Sequence, residues 1–305
     1  MFHVEHKTKS TLNEIENCPV CGNRETTLFI STKDFFLTQE NFNIVKCKAC
    51  SFIFTNPVPL KSTLASYYDS PDYSSHTLKK SSFYDSIYQI IRGINLKNKF
   101  KIVKKYQNAG HILDVGCGTG ELLKYFKDKN WKTTGIEPAD NARNFAIEKY
   151  GLDIYPENKL QQFGSEKFDA ISMWHVLEHV VDLNERMAQL RDLLKPGAHM
   201  FIAVPNIDSY DASFYGKHWA ALDVPRHLYH FSKQSLTRLI EKHELRVEAV
   251  YPMKFDAFYV SLLSEKYLKR GIASYPKAIV SGYRSNKKAS KSGNYSSMIF
   301  VVKRK

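Results

Sequence analysis

Apolar residues fall into two rhythms along this chain. Near the N-terminus three short runs, Thr26–Ile30, Phe42–Cys47 and Ser51–Asn56, carry β-branched and aromatic residues in the manner of strands. Phe83, Ile87, Ile90, Ile91 and Ile94 then recur at helical spacing, and a second helix is expected from Leu96 to Tyr106. From there strand-like and helix-like segments alternate. His111–Val115 reads as a buried strand, Glu121–Lys129 as a helix and Trp131–Pro138 as the next strand. Phe168–Ser172 is strand-like, and 180–206 reads as helix, Pro-Gly turn and strand. Phe231–His243 is a helix that begins at the N-cap Ser232. Arg246–Met253 and Ser296–Lys303 supply the last two strands, with a helix over Phe255–Arg270 between them. This alternation predicts an α/β fold with a doubly wound, Rossmann-like sheet.

The division expected is a small N-terminal module over 1–60, a linker and helical cap over 61–106, and the main domain over 107–305. The stretch from Asn56 to His76 is rich in Pro, Ser and Tyr and reads as a linker. Within the first module four cysteines form two pairs, Cys18-Pro-Val-Cys21 and Cys47-Lys-Ala-Cys50. Each C-x-x-C places two sulfurs on one knuckle, and two knuckles make a tetrahedral site. With strands between and after them, the pattern is that of a zinc ribbon. Four thiolates leave no open position for water, so the zinc would be structural, worth on the order of 10 kcal/mol to a module with little core. A redox dithiol needs only one such motif, beside a βαβ unit, and leaves the second pair unexplained. An iron–sulfur centre is the other alternative for four thiolates.

The segment HILDVGCGTGELLKYF places Gly116, Gly118 and Gly120 between a strand and a helix. That geometry lets a ligand approach backbone N–H groups. The spacing is tighter than in dinucleotide folds, and Asp114 precedes the first glycine. A carboxylate there accepts hydrogen bonds from an ammonium group but repels a pyrophosphate. The next strand ends at Glu137, near the spacing at which an acidic residue grips ribose hydroxyls. The implied ligand has a ribose, a positive charge and no required phosphate. S-adenosylmethionine fits, and NAD is the alternative for this motif.

ILDVGCGTG, GIEP, FDAISMWHVLEHV, LLKPGAHMFIAVPN and DVPRHLYHFSKQSL together run across most of 105–245. Here the chain resembles the class I S-adenosylmethionine-dependent methyltransferases, in the branch that includes the ubiquinone-biosynthesis O-methyltransferases. The resemblance implies a seven-stranded methyltransferase sheet. It also implies that Asp114, Gly116, Gly118 and Gly120 hold the methionine end and that Glu137 holds the ribose. Ile136 and Pro138 would lie beside the adenine, and Met173 and Trp174 would line the cofactor. The chain departs from the family between Tyr150 and Lys167, where Glu157, Asn158 and Gln161 are the polar residues available for the adenine amine.

MWHVLEHV raises a separate question. His175, Glu178 and His179 match the H-x-x-E-H pattern of inverted zinc metalloproteases, whose histidines share one helix face. A protease would need a third ligand downstream and would leave the glycine loop unexplained. The segment follows the strand 168–172, where ligands bind at the carboxyl ends of an open sheet. In the resembled branch an E-x-x-E-H segment is assigned to a divalent metal, and here His175 replaces its first Glu. Packing at the helix start, acid–base chemistry and metal binding are the three roles open to it. The loop 206–231 is long, aromatic and rich in histidine, and offers Trp219, Arg226, His227, Tyr229 and His230 to a methyl acceptor. His175, His179, His227 and His230 are therefore the candidate catalytic bases.

Charge adds one feature. The net charge is +13, and no Asp or Glu lies beyond Glu265 while ten Lys and Arg accumulate from Lys269 to Lys305. An anionic partner suits this end, whether phosphate, an anionic small-molecule acceptor, nucleic acid or an acidic membrane surface, and the alternative is a solvated basic face that aids solubility. No segment approaches the roughly 18–20 apolar residues of a membrane span, and MFHVEHKTKS lacks the apolar core of a secretory signal. A cytoplasmic protein is expected. The activity expected is methyl transfer to oxygen on a small molecule or a saccharide or lipid-linked precursor. The rivals are a nucleic-acid methyltransferase or binder, and a non-catalytic cofactor-binding protein.

Overall fold

The computed structural model describes residues 12–68 and 83–305. The N-terminal stretch read for a secretory signal and most of the Pro/Ser/Tyr-rich linker lie outside the described residues. The side chains of 83–92, with four of the five apolar positions read there, do so too.

In chain order the strands are β1 (Leu12–Asn13), β2 (Thr26–Lys33), β3 (Asn41–Cys47), β4 (Ile53–Thr55) and β5 (Val58–Pro59). They continue as β6 (His111–Val115), β7 (Lys132–Ile136), β8 (Ile154–Tyr155), β9 (Phe168–Trp174) and β10 (Leu194–Pro205). The last are β11 (Tyr229–His230), β12 (Leu245–Pro252) and β13 (Ser297–Arg304). The helices are α1 (Lys61–Leu64), α2 (Phe83–Tyr106), α3 (Glu121–Lys127), α4 (Asp140–Tyr150) and α5 (Leu183–Leu193). They end with α6 (Tyr210–Tyr215), α7 (Lys233–Lys242), α8 (Asp256–Tyr267) and α9 (Ser274–Ser292). The two helices expected between 83 and 106 are one continuous helix.

The large sheet has seven strands in the order β12-β13-β10-β9-β6-β7-β8. Only β13 runs antiparallel to its neighbours. This is the doubly wound sheet that the alternating pattern predicts, with the seven strands that the family resemblance implies. Its fully buried central strands, Ile112–Val115 and Ala170–Met173, read as near-continuous apolar runs because helices cover both faces. The chain winds outward in one direction from β6 through β7 to β8, and in the other from β9. The switch point therefore lies between β6 and β9, and their carboxyl ends are where an open α/β sheet of this kind takes its ligand. The Pro-Gly turn expected before β10 is instead a register shift at its start, with Gly197 at φ +77°. α7 begins as expected at Ser232, whose side chain and that of Ser235 cap each other's backbone N–H.

A second, antiparallel sheet has the order β11-β4-β3-β2. Its edge strand β11 comes from the loop after β10, so the N-terminal module and the large domain share a sheet. They also share a core, since Cys18, Cys47 and Phe52 belong to the same apolar cluster as Met173, Leu236 and Phe300. The buried Arg226 ties the two further: its guanidinium binds Asp34 at 2.7 Å and Asp223 at 2.7 Å. No helix among the described residues is long and apolar enough to cross a membrane.

Candidate cofactor and acceptor site

Asp114 lies directly across from Ser172 in the parallel β6–β9 register. Ser172 Oγ donates to Asp114 Oδ1 at 2.6 Å. Burial pushes the Asp114 carboxyl up to about 7, against the opposing pull of the Ser172 hydrogen bond and the Lys99 charge. A buried carboxylate with one neutral partner favours a cationic ligand, which would restore its charge. Gly116 has φ +72°, and a Cβ there would lie 2.4 Å from Val176 Cγ2. Gly118 is also left-handed, yet a Cβ there would meet open space. The loop thus presses its first glycine on the second crevice segment and leaves its crest open. Gly120 occupies the N-cap of α3.

Glu137 follows β7 and is buried. Its Oε2 accepts the Gly118 N–H at 2.8 Å and its Oε1 accepts the Ala139 N–H at 2.9 Å. Burial raises its carboxyl, and these two hydrogen bonds oppose the rise. Pro138 continues the turn, its carbonyl accepting from Arg143. Met173 is wholly buried at the end of β9, while Trp174 is half-buried at the crevice. The Trp174 Nε1–H is buried without a hydrogen-bond partner among the described residues. The Lys99 ammonium of α2 lies 4.6 Å from the Trp174 ring. The glycine loop and the two carboxylates therefore meet at the carboxyl ends of β6 and β7, with an unsatisfied indole donor on the last residue of β9. They suit a cationic, ribose-bearing cofactor.

The next segment does not form the helix expected from its spacing. His175 takes a left-handed turn at φ +58°, Leu177–His179 make a single tight turn, and α5 starts only at Leu183. β-branched Val176, Val180 and Val181 disfavour helix here, so His175 and His179 do not share a helix face. His175 Nε2 instead meets Asp256 Oδ2 at 2.9 Å, and its Nδ1 lies 3.4 Å from Glu178 Oε1 in an ion-pair contact without hydrogen-bond geometry. Burial works against its charge, but the two carboxylates outweigh it and raise the imidazole to about 9. Glu178, fully buried, is held ionised by His175 against its own desolvation.

His179 Nδ1 lies 3.0 Å from the Arg226 carbonyl and 3.0 Å from the Tyr68 hydroxyl. His227 Nδ1 lies 2.8 Å from the Ala221 carbonyl. A carbonyl only accepts, so each ring carries a proton on Nδ1 and turns Nε2 the other way; the Nε2 of His227 lies 4.0 Å from Asp223 Oδ2. Burial first, and then the neighbouring His227 imidazole, lowers His179 to about 4. Donor atoms of Glu178, His179 and His227 lie within 4.8 Å of one another. His230 stands apart, in β11, with Nε2 3.2 Å from Thr55 Oγ1 and a pKa lowered to about 3, chiefly by burial. Trp219 donates to Asp211 at 2.9 Å, and Tyr229 to the Val181 carbonyl at 2.9 Å. The structure thus brings His175, His179 and His227 together around Glu178. Sequence reasoning missed Ser172 and Asp256. Ser172 was legible from strand adjacency to Asp114; nothing local marks Asp256, 81 residues from His175.

The four cysteines of the N-terminal module cluster with all sulfurs within 4.8 Å. Cys18 and Cys50 sulfurs are 3.5 Å apart, and Cys21 and Cys47 sulfurs 3.6 Å. These are too long for a disulfide, while thiolates about 2.3 Å from a central zinc ion would lie about 3.8 Å apart. The set fits a closed tetrahedral metal site.

Sheet, glycine loop and acidic pair together define a class I, S-adenosylmethionine-dependent methyltransferase. The sequence model of the family described as "Methyltransferase domain" matches residues 91–250, and the chain belongs to that family. Among curated relatives, the ubiquinone biosynthesis O-methyltransferase of Actinobacillus pleuropneumoniae serotype 7 (strain AP76) is 32% identical over 136 residues, 40% of this chain and 58% of that protein. The mitochondrial ubiquinone biosynthesis O-methyltransferase of Homo sapiens is 28% identical over 163 residues, 48% of this chain and 44% of that protein. The chain thus spans about half the length of these curated relatives. Magnesium protoporphyrin IX methyltransferase from Synechocystis PCC 6803, solved with bound SAH, superposes with a TM-score of 0.54 at 12% identity, over 81% of this chain and all of that one. Phosphoethanolamine N-methyltransferase 2 of Haemonchus contortus, in complex with S-adenosyl-L-methionine, gives 0.52 at 14% identity, over 92% of this chain and 68% of that one. At such identities these structures support the fold alone.

Proposed function

We propose that this methyltransferase methylates an oxygen of a small-molecule acceptor held over Glu178, His179 and His227. One observation carries the reading: two imidazoles with Nδ1–H tied to carbonyls and a buried carboxylate converge beside the crevice. S-adenosylmethionine supplies a methyl on a sulfonium, whose departure needs no acid. The protein's work is to align the two reactants, exclude water and take a proton from the acceptor hydroxyl. Asp114 would hold the ammonium end and Glu137 the ribose, with Trp174 beside them at the end of β9. His227 or His179 accepts the proton at Nε2, and Glu178 stabilises the imidazolium that results. His175, already cationic through Asp256 and Glu178, holds Glu178 in place and is no base at neutral pH. The names of the curated relatives support oxygen as the acceptor atom.

In this reading residues 1–60 are a module that zinc on Cys18, Cys21, Cys47 and Cys50 would hold closed, 61–106 connect it, and 107–305 are the catalytic domain. The test is a screen of phenols and alcohols, with amines and carbon acids alongside, using isotope-labelled methyl donor. Transfer to a hydroxyl, abolished in Glu178→Gln and His227→Ala while cofactor binding persists, is expected. Transfer to nitrogen or carbon alone would overturn the assignment. A second reading rests on the same donors. Two lone-pair imidazole nitrogens and a carboxylate also suit a divalent transition metal that would bind the acceptor oxygen directly. Activity lost to a chelator and restored by one metal would select it.

A further inference from the structure

α9 is built inside out. Its buried stripe is made of small residues: Ser274, Ala278, Ser281, Gly282, Ser285 and Ala289. They allow close packing on α8; a Cβ on Gly282 would lie 2.6 Å from the Phe258 ring. The large apolar side chains point outward instead. Ile272, just before the helix, is 89% exposed, Ile279 62%, Tyr283 61% and Val280 46%. Spacings of four residues set Tyr275, Ile279 and Tyr283 along one side of the helix, and Ile272 lies in the tight turn that leads into it. An isolated exposed Leu or Ile needs no explanation, but an aligned row of them marks a contact surface.

The surrounding charge selects the partner. No acidic residue lies beyond Glu265, and α9 itself carries Lys277, Arg284, Lys287, Lys288 and Lys291. Three residues before Ile272, Lys269 lines a cavity of about 500 Å³ together with Lys33, Lys217, Lys266 and His218. His218 is lowered by burial and then by Lys217, Lys33 and Arg270, which reports the positive field there. A second copy of the chain would set these cations against themselves across a two-fold contact. Nucleic acid would be drawn by the charge but would leave the aliphatic row in water. An apolar row flanked by cations is what an interfacial helix offers to lipid.

We propose that the outer face of α9, led by Ile272, docks this enzyme on the surface of an anionic lipid bilayer, lying in the headgroup plane without crossing it. The test is flotation of the full chain with vesicles of phosphatidylcholine alone, or with about one third phosphatidylglycerol. Wild type is expected to float with the anionic vesicles, to be released by salt, and to ignore the neutral ones. Ile272→Ser/Ile279→Ser is expected to lower the bound fraction about tenfold or more, and Lys277→Gln/Arg284→Gln to lower it too. Both pairs are exposed and none of the four residues belongs to the candidate cofactor site, so S-adenosylhomocysteine binding is expected to persist. That readout separates failure of this proposal from failure of the cofactor site. No flotation with anionic vesicles overturns the proposal. So does self-association lost in the Ile272→Ser/Ile279→Ser variant, which would give the face to a second copy. Binding of an RNA oligonucleotide without vesicle binding overturns it as well.

Discussion

Gly116→Ala and Gly118→Ala form a matched pair that tests how the cofactor loop is held. Both glycines are left-handed, at φ +72° and +54°. An alanine pays about 1–2 kcal/mol for that conformation wherever it sits. Gly118 faces open space, so that is the whole expected loss. At Gly116 the new methyl would lie 2.4 Å from Val176 Cγ2 and 3.1 Å from Cγ1. Overpacking of this kind adds about 1–3 kcal/mol, for a total of about 2–5 kcal/mol. Thermal unfolding reads this as a drop of about 2–4 °C for Gly118→Ala and about 4–10 °C for Gly116→Ala, at about 2 °C per kcal/mol for a chain of this size. Adding Val176→Ala to Gly116→Ala removes both clashing methyls and should recover the second part only. Equal losses at the two glycines, or no recovery with Val176→Ala, would refute the reasoning.

Five further outcomes follow from the same structure. Arg226→Met leaves Asp34 buried and without its cation, and should cost about 3–5 kcal/mol, a drop in Tm of about 6–10 °C. Raised to about 9, His175 contributes stability that is fully present below its ordinary value near 6.5 and is lost as pH rises through 9. The Tm gap between wild type and Asp256→Asn should therefore be widest below pH 6.5 and narrow toward pH 9. With Asp114 raised to about 7, affinity for S-adenosylhomocysteine should weaken as pH falls below that value, and calorimetry across pH 6 to 8 reads it. Purified protein should contain one zinc per chain by elemental analysis. Cys47→Ser should release the zinc and lower Tm, because β3 and β4 carry β11 and the loop that holds His227.

The candidate cofactor half of the site was legible because its parts are local. Asp114, the glycines and Glu137 lie within one strand–turn–helix–strand unit, and each is set by backbone geometry. The cysteine knuckles were legible for the same reason. The acceptor half was not. His227 reaches Glu178 only because β11 pairs with β4 and Arg226 anchors the loop to Asp34, across 192 residues of chain. The helical spacing of His175 and His179 suggested a shared face, whereas a left-handed turn at His175 separates them. α9 was mostly unread for another reason: its rhythm of small residues carries the packing, and a search for large apolar positions looks at the wrong side of it.

Binding of S-adenosylhomocysteine to the purified, metal-loaded chain, measured by titration calorimetry with NAD as control, tests the central claim most directly. The expected result is a single site with Kd on the order of 1–100 µM, no heat from NAD, and affinity lost by about tenfold or more in Asp114→Ala, whose buried carboxylate would face the ammonium end. Absence of binding in the folded wild type, or equal affinity in Asp114→Ala, would contradict the assignment of the crevice between β6 and β9 to the methyl donor.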